Sequence, residues 1–219
     1  MLKRILIYTM VVFLFVVISG CDFGGESQPE IVGQSHKPYI KLSADESIIK
    51  PRDRKTYGKG PNGWIPSAKL EDKSRWKGIV IHHSAASYGD ALHEDKVHRS
   101  RGFDSLGYHF VINNGLRKRG YGKADGLVQV GERWLKQLTG AHCRENGDSS
   151  NYYNEHTIGI CLIGDFEKTR PTQQQMRSLS KLVRFLKSRY RIPSRQIKGH
   201  GDIKPTKCPG KNFSISQFK

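Results

Sequence analysis

The chain has 219 residues, 36% hydrophobic and 26% charged. That is enough for one ordinary domain with a buried core plus appendages, and it excludes a chain disordered throughout. The formal net charge is +17, an excess that favours polyanionic partners.

Residues 1–20 read as an export signal. Lys3 and Arg4 precede an apolar stretch from Ile5 to Ile18, and Ser19-Gly20-Cys21 follows. The stretch is short for a membrane span and has the layout of a secretory signal. Ile18-Ser19-Gly20-Cys21 resembles a bacterial lipoprotein signal, which implies lipidation of Cys21. An uncleaved anchor and plain cleavage are the alternatives. Each places the domain outside the cytoplasmic membrane, in the cell envelope, facing the periplasm or the exterior. Asp22, just after the cysteine, resembles an inner-membrane retention residue. There the anionic envelope and membrane headgroups are better partners for the charge than nucleic acid. No stretch interleaves aromatics with Lys and Arg as a nucleic-acid stacking surface does.

Residues 21–45, with Gly24-Gly25, several serines and a proline, read as a flexible tether. Residues 46–73 are a basic, extended segment with Trp64 and Ile65 as anchors, and the domain is assigned to 74–219. Gly78 to His83 reads as a strand and Ala91 to Ser100 as a helix. Tyr108 to Ile112 is a strand, and Asn113-Asn114-Gly115 predicts a hairpin turn into Leu116. Gly126 to Val130 is a short apolar segment, and Thr157 to Gly164 is apolar enough for a central strand covered on both faces. Thr172 and Gln175 form a capping box ahead of a helix whose face carries Met176, Leu179, Val183, Leu186 and Tyr190, with Pro193 ending it. Ile197 leads into the loop that holds His200. Together these elements predict an α+β domain: a central mixed sheet with helices packed on it.

Three residues carry the chemistry. His82 ends the apolar run Ile79-Val80-Ile81, while His200 and Cys208 share a Gly- and Pro-rich loop far along the chain. Two imidazoles and a thiolate suit zinc, with a fourth tetrahedral position left for water in a hydrolytic site. His82 is followed by His83, and strand neighbours face opposite ways, so only one of them can face a metal. The residues alone do not choose between them. No HExxH motif is present, and no local signature supports a cysteine nucleophile. Cys143 and Cys161 could pair in an exported protein, although Cys161 lies in an apolar run and reads as a small buried residue.

Five segments in order carry a resemblance: Ile79-Val80-Ile81-His82-His83-Ser84-Ala85, Leu106-Gly107-Tyr108-His109-Phe110-Val111-Ile112, Gly140-Ala141-His142, Thr157-Ile158-Gly159-Ile160-Cys161-Leu162-Ile163-Gly164, and His200-Gly201-Asp202-Ile203 followed by Thr206-Lys207-Cys208-Pro209. They resemble the zinc-dependent N-acetylmuramoyl-L-alanine amidases of the amidase-2 family, which includes phage lysozyme-type amidases and peptidoglycan recognition proteins. The resemblance implies a single catalytic domain that binds Zn2+ through His82, His200 and Cys208, with His83 outside the ligand set. It makes Tyr108 the tyrosine beside the reacting water. Thr206, with Lys207 as the alternative, becomes the second donor to the oxyanion, and His142 and Asn154 fall in a segment that lines the substrate groove. His98 and His109 match positions that pack or orient. A branch of the family carries a Glu where this chain has Cys161, so that acid–base route is absent. The implied reaction is hydrolysis of the amide between N-acetylmuramic acid and L-alanine in peptidoglycan or muropeptides. The implied protein is a monomer held to a membrane through Cys21, with no nucleic-acid partner. The alternative is a receptor that binds peptidoglycan without cutting it. Such receptors typically lose a zinc ligand, and all three are retained here.

Overall fold

The computed structural model describes residues 63–144 and 151–218. The export signal, Cys21, the tether and most of the basic segment lie outside the described residues. Among the described residues, five strands and four α-helices follow in chain order: β1 (Gly78–His83), α1 (Ala91–Ser100), β2 (Phe110–Ile112), β3 (Val128–Val130), α2 (Glu132–Leu135), α3 (Tyr152–His156), β4 (Thr157–Leu162), α4 (Gln173–Tyr190) and β5 (Ile197–Gly199). The sheet order is β3-β2-β4-β1-β5. β2, β4, β1 and β5 run parallel, and β3 joins the edge antiparallel to β2. This is a mixed central sheet with helices packed on it.

β1 and β4 are buried at every residue, as expected of parallel strands covered on both faces. On one face, Ile79, Ile81, Phe110, Ile112, Ile158, Ile160 and Leu162 pack against Leu179, Leu182, Val183 and Leu186 of α4. Each such leucine contributes about 1.5–3 kcal/mol by leaving water. On the other face, Val111, Cys161 and Ile163 pack with Ala91 of α1, Leu106 and Tyr108. The capping box of α4 forms as expected: Thr172 Oγ1 accepts from Gln175 N at 3.0 Å, and Gln175 Oε1 accepts from Thr172 N at 3.1 Å. The buried Gln175 amide also donates to Ile112 O at 3.1 Å and Ile163 O at 2.8 Å. The start of α4 is thereby tied to the ends of β2 and β4.

One expectation changes. Leu116 does not begin the partner of β2. Asn114 Oδ1 caps Leu116 N at 3.1 Å, Leu116 is exposed, and the antiparallel partner is Val128–Val130. A separate tight turn intervenes, with Arg119 (φ 53°) and Gly120 (φ 81°) at its centre and reciprocal 3.0 Å bonds between Lys118 and Tyr121. Trp64 is the anchor expected of the preceding segment: it is buried in the main cluster, and its carbonyl accepts from Trp134 Nε1 at 2.9 Å. Glu71 is clamped to the end of α4 by Arg189 and Tyr190.

Candidate metal centre

Parallel strands present their carboxyl ends on one edge, where ligand sites form. His82 stands at that end of β1, and His200 opens the turn that follows β5, the neighbour of β1. Cys208 returns to the same place because its loop is closed on itself: Gly201 N donates to Cys208 O at 2.7 Å, and Cys208 N donates to Thr206 Oγ1 at 3.2 Å. One ligand-type atom each from His82, His200 and Cys208 lies within 4.8 Å of the others.

The neighbouring histidine goes the other way. His82 is level with Cys161, whose side chain belongs to the α1 face, whereas His83 is level with Leu162 on the α4 face. The His83 ring lies against Phe166 and its Nδ1 accepts from Phe166 N at 3.0 Å. Its backbone N donates to Cys208 Sγ at 3.4 Å.

The donor set suits zinc. His82 Nδ1 and Cys208 Sγ are 3.7 Å apart. A tetrahedral ion with Zn–N near 2.0 Å and Zn–S near 2.3 Å sets such a pair about 3.5 Å apart. His200 Nε2 is buried with no hydrogen-bond partner, an arrangement that costs free energy unless a ligand satisfies it. Both imidazoles are neutral, as ligation requires. Burial, with His200 and His142 nearby, holds the pKa of His82 well below its ordinary value. Burial, with Lys204 and His83, takes His200 down to about 4.

Tyr108 is half-buried beside the cluster, its ring 5.2 Å from that of His82. Burial, reinforced by Cys161, Cys208 and Glu94, pushes its hydroxyl well above the ordinary tyrosine range, so it keeps its proton. Of the two candidates for a second donor, Thr206 is half-buried with its oxygen on Cys208 N, while Lys207 is exposed.

The segment expected to line the groove contributes His142 and Asn154. His142 and Asn154 are both buried. Asn154 Oδ1 accepts from His142 N and Cys143 N, each at 2.8 Å, and its amide donates to Asn151 Oδ1 at 2.8 Å. Those bonds use its polar atoms to shape the 142–143 turn. His142 sits behind His82, Nδ1 to Nε2 at 3.1 Å. Sequence reasoning also missed that the Cys161 thiol borders this site. The signal was strand register, which the residues do not spell out. The Cys143–Cys161 bridge is not formed. An open cleft of about 390 Å³ lined by Arg117, Lys118, Arg119 and Lys123 lies on the excursion after β2.

A family model described as N-acetylmuramoyl-L-alanine amidase matches residues 72–211. The endolysin of Enterobacteria phage T3 is 28% identical over 161 residues, covering 69% of this chain and 91% of its own. Peptidoglycan-recognition protein LB of Drosophila melanogaster is 28% identical over 143 residues, 60% of this chain, and the match spans about half, 53%, of that longer relative. Among solved structures, N-acetylmuramoyl-L-alanine amidase LysC from Clostridium intestinale URNW superposes with a TM-score of 0.55 at 31% identity, covering 67% of this chain and 85% of that one.

Proposed function

Because the chain belongs to the N-acetylmuramoyl-L-alanine amidase family, we propose that it cuts the amide between N-acetylmuramic acid and L-alanine at a zinc ion held by His82, His200 and Cys208. The observation that carries this reading is the convergence of those three ligand atoms within 4.8 Å. Zinc bound there supplies Lewis acidity toward the scissile carbonyl and activates water near neutral pH.

The chain's own groups do the rest. Tyr108 keeps its hydroxyl proton and donates it as a hydrogen bond where negative charge develops in the transition state. The Thr206 hydroxyl, its oxygen already accepting from Cys208 N, is the second donor. His83 N steadies the thiolate of Cys208 with a backbone hydrogen bond. Cys161 and Val111 wall the inner side with apolar surface that keeps bulk water from the donors.

The substrate follows from the family, and the +17 net charge complements the anionic envelope in which that substrate resides. The residue pattern from Lys3 to Cys21 supports export and attachment to a membrane through a lipid on Cys21. The decisive experiment is mass spectrometry of the products from defined muropeptides, with and without a chelator. Release of free stem peptide that stops on chelation is expected. Binding without cleavage would make the protein a receptor, and cleavage without metal would remove the zinc mechanism.

A further inference from the structure

His142 is built in with more care than a packing residue needs. Its ring fits between two glycines: a Cβ on Gly159 would lie 2.5 Å from His142 Cγ and Cδ2, and one on Gly140 would lie 2.5 Å from Cδ2. Gly159 belongs to the fully buried central strand β4, where glycine weakens a strand and marks a close approach. The backbone of His142 is fixed by Asn154. What remains is a ring held at one height and one tilt, with one nitrogen 3.2 Å from Thr157 O and the other 3.1 Å from His82 Nε2.

The protons on this chain are determined by its two ends. A carbonyl oxygen only accepts, so His142 Nε2 carries a hydrogen and donates it to Thr157 O, 3.2 Å away. At the other end, His82 Nδ1 is the nitrogen that faces Cys208 Sγ, at 3.7 Å. A ligating nitrogen offers its lone pair, so the hydrogen of His82 sits on Nε2. His142 Nδ1, 3.1 Å from that N–H, accepts it.

We infer that His142 is a positioning residue for the metal centre: held in the Gly140–Gly159 slot, it relays the Thr157 carbonyl to His82, fixes the Nε2–H tautomer of His82 and aims the Nδ1 lone pair at the ion. This rests on the reading of His82, His200 and Cys208 as zinc ligands. A second hydrogen-bond partner of this kind sets ring orientation and raises ligand basicity, and its loss typically costs about 10–100-fold in metal affinity. It also assigns His142 a different task from the groove contact expected from the sequence.

The test begins without metal or mutation. Nitrogen-15 NMR of the metal-free full chain reads the protonated nitrogen of each histidine. Both His82 and His142 are expected as Nε2–H tautomers, and a proton on His82 Nδ1 would overturn the inference. The second arm measures zinc affinity against a competing chelator. His142→Phe keeps the ring volume but offers no acceptor, and should weaken zinc binding about 10–100-fold. His142→Asn places an amide oxygen near the former Nδ1 and should restore most of it. A Phe variant that binds zinc as the parent does would overturn the inference, and so would an Asn variant that binds it no better than Phe. Should the Phe variant not fold, Gly159→Ala serves, since it displaces the ring while leaving its chemistry, and unchanged affinity there has the same meaning. A parent protein that binds no zinc would defeat the metal reading itself, whereas the NMR result would still report on the relay.

Discussion

Replacing Tyr108 with Phe removes a single oxygen and isolates the donor from the packing. The ring lies 5.2 Å from that of His82 and 5.1 Å from that of His98, and Phe fills the same space. Zinc content and thermal stability should therefore hold. Turnover should fall by about 10²–10³, the usual cost of one donor to a developing oxyanion, equivalent to about 2.7–4 kcal/mol. The protonation state sharpens this. Burial pushes the hydroxyl pKa well above 10, so the donor is intact across the working pH range. The ratio of parent to variant kcat should then be flat from about pH 6 to pH 9, because tyrosine titrates above that range even when unperturbed. The assay is chromatographic release of stem peptide from a soluble muropeptide, with metal content measured on the same samples. An unchanged kcat at full zinc occupancy would assign Tyr108 to packing. Loss of zinc would show that it supports the ligands instead.

The two adjacent histidines should separate cleanly. Cys208→Ala and His82→Ala should lose stoichiometric zinc, while His83→Ala should keep it and lose about 1–3 kcal/mol of stability through the unsatisfied Phe166 N–H; metal analysis beside denaturant unfolding checks both, and equal zinc loss in the His83 variant would contradict the face assignment. Acid should destabilise the metal-free protein through its buried histidines. Burial lowers His98 and His200 to about 4 and His142 to about 3, so the unfolded chain, titrating near 6.5, binds more protons in that window and stability should fall as pH drops from about 6.5 to about 4. A flat denaturation midpoint over that interval would refute it. Glu71→Gln should cost about 1–3 kcal/mol by leaving Arg189 and Tyr190 short of an acceptor. Burial alone would raise the Glu71 carboxyl, but hydrogen bonds from Arg189 and Tyr190 bring it below its ordinary value, so its stabilisation is complete above about pH 4.3 and is lost as pH falls through the lowered pKa. Parent and variant should converge in acid, and a constant gap would count against the clamp.

What was legible in the residues follows a physical line. β1, α1 and α4 announce themselves because each is a continuous apolar run or a clear helical face with local caps, and these are short-range signals. β4 reads as central for the same reason. The hairpin after β2 misleads because Asn113-Asn114-Gly115 has turn chemistry, while the partner strand is chosen by packing on β2 and lies beyond a second turn at Arg119-Gly120. Register is the least legible property. The pairing of His82 with Cys161 and of His83 with Leu162 decides which histidine faces Cys208, and it depends on contacts between segments about eighty residues apart. The place of the His142 ring was not legible for that reason: its slot is made by Gly159 on β4, and a glycine in an apolar strand gives no hint of which ring it admits.

The most direct measurement is anomalous scattering at the zinc edge from crystals of the zinc-loaded protein. A single strong peak should stand about 2.0–2.3 Å from one nitrogen each of His82 and His200 and from Cys208 Sγ, with no fourth side chain coordinating. A peak elsewhere, or a fourth protein ligand closing the coordination sphere, would contradict a hydrolytic metal centre at this site.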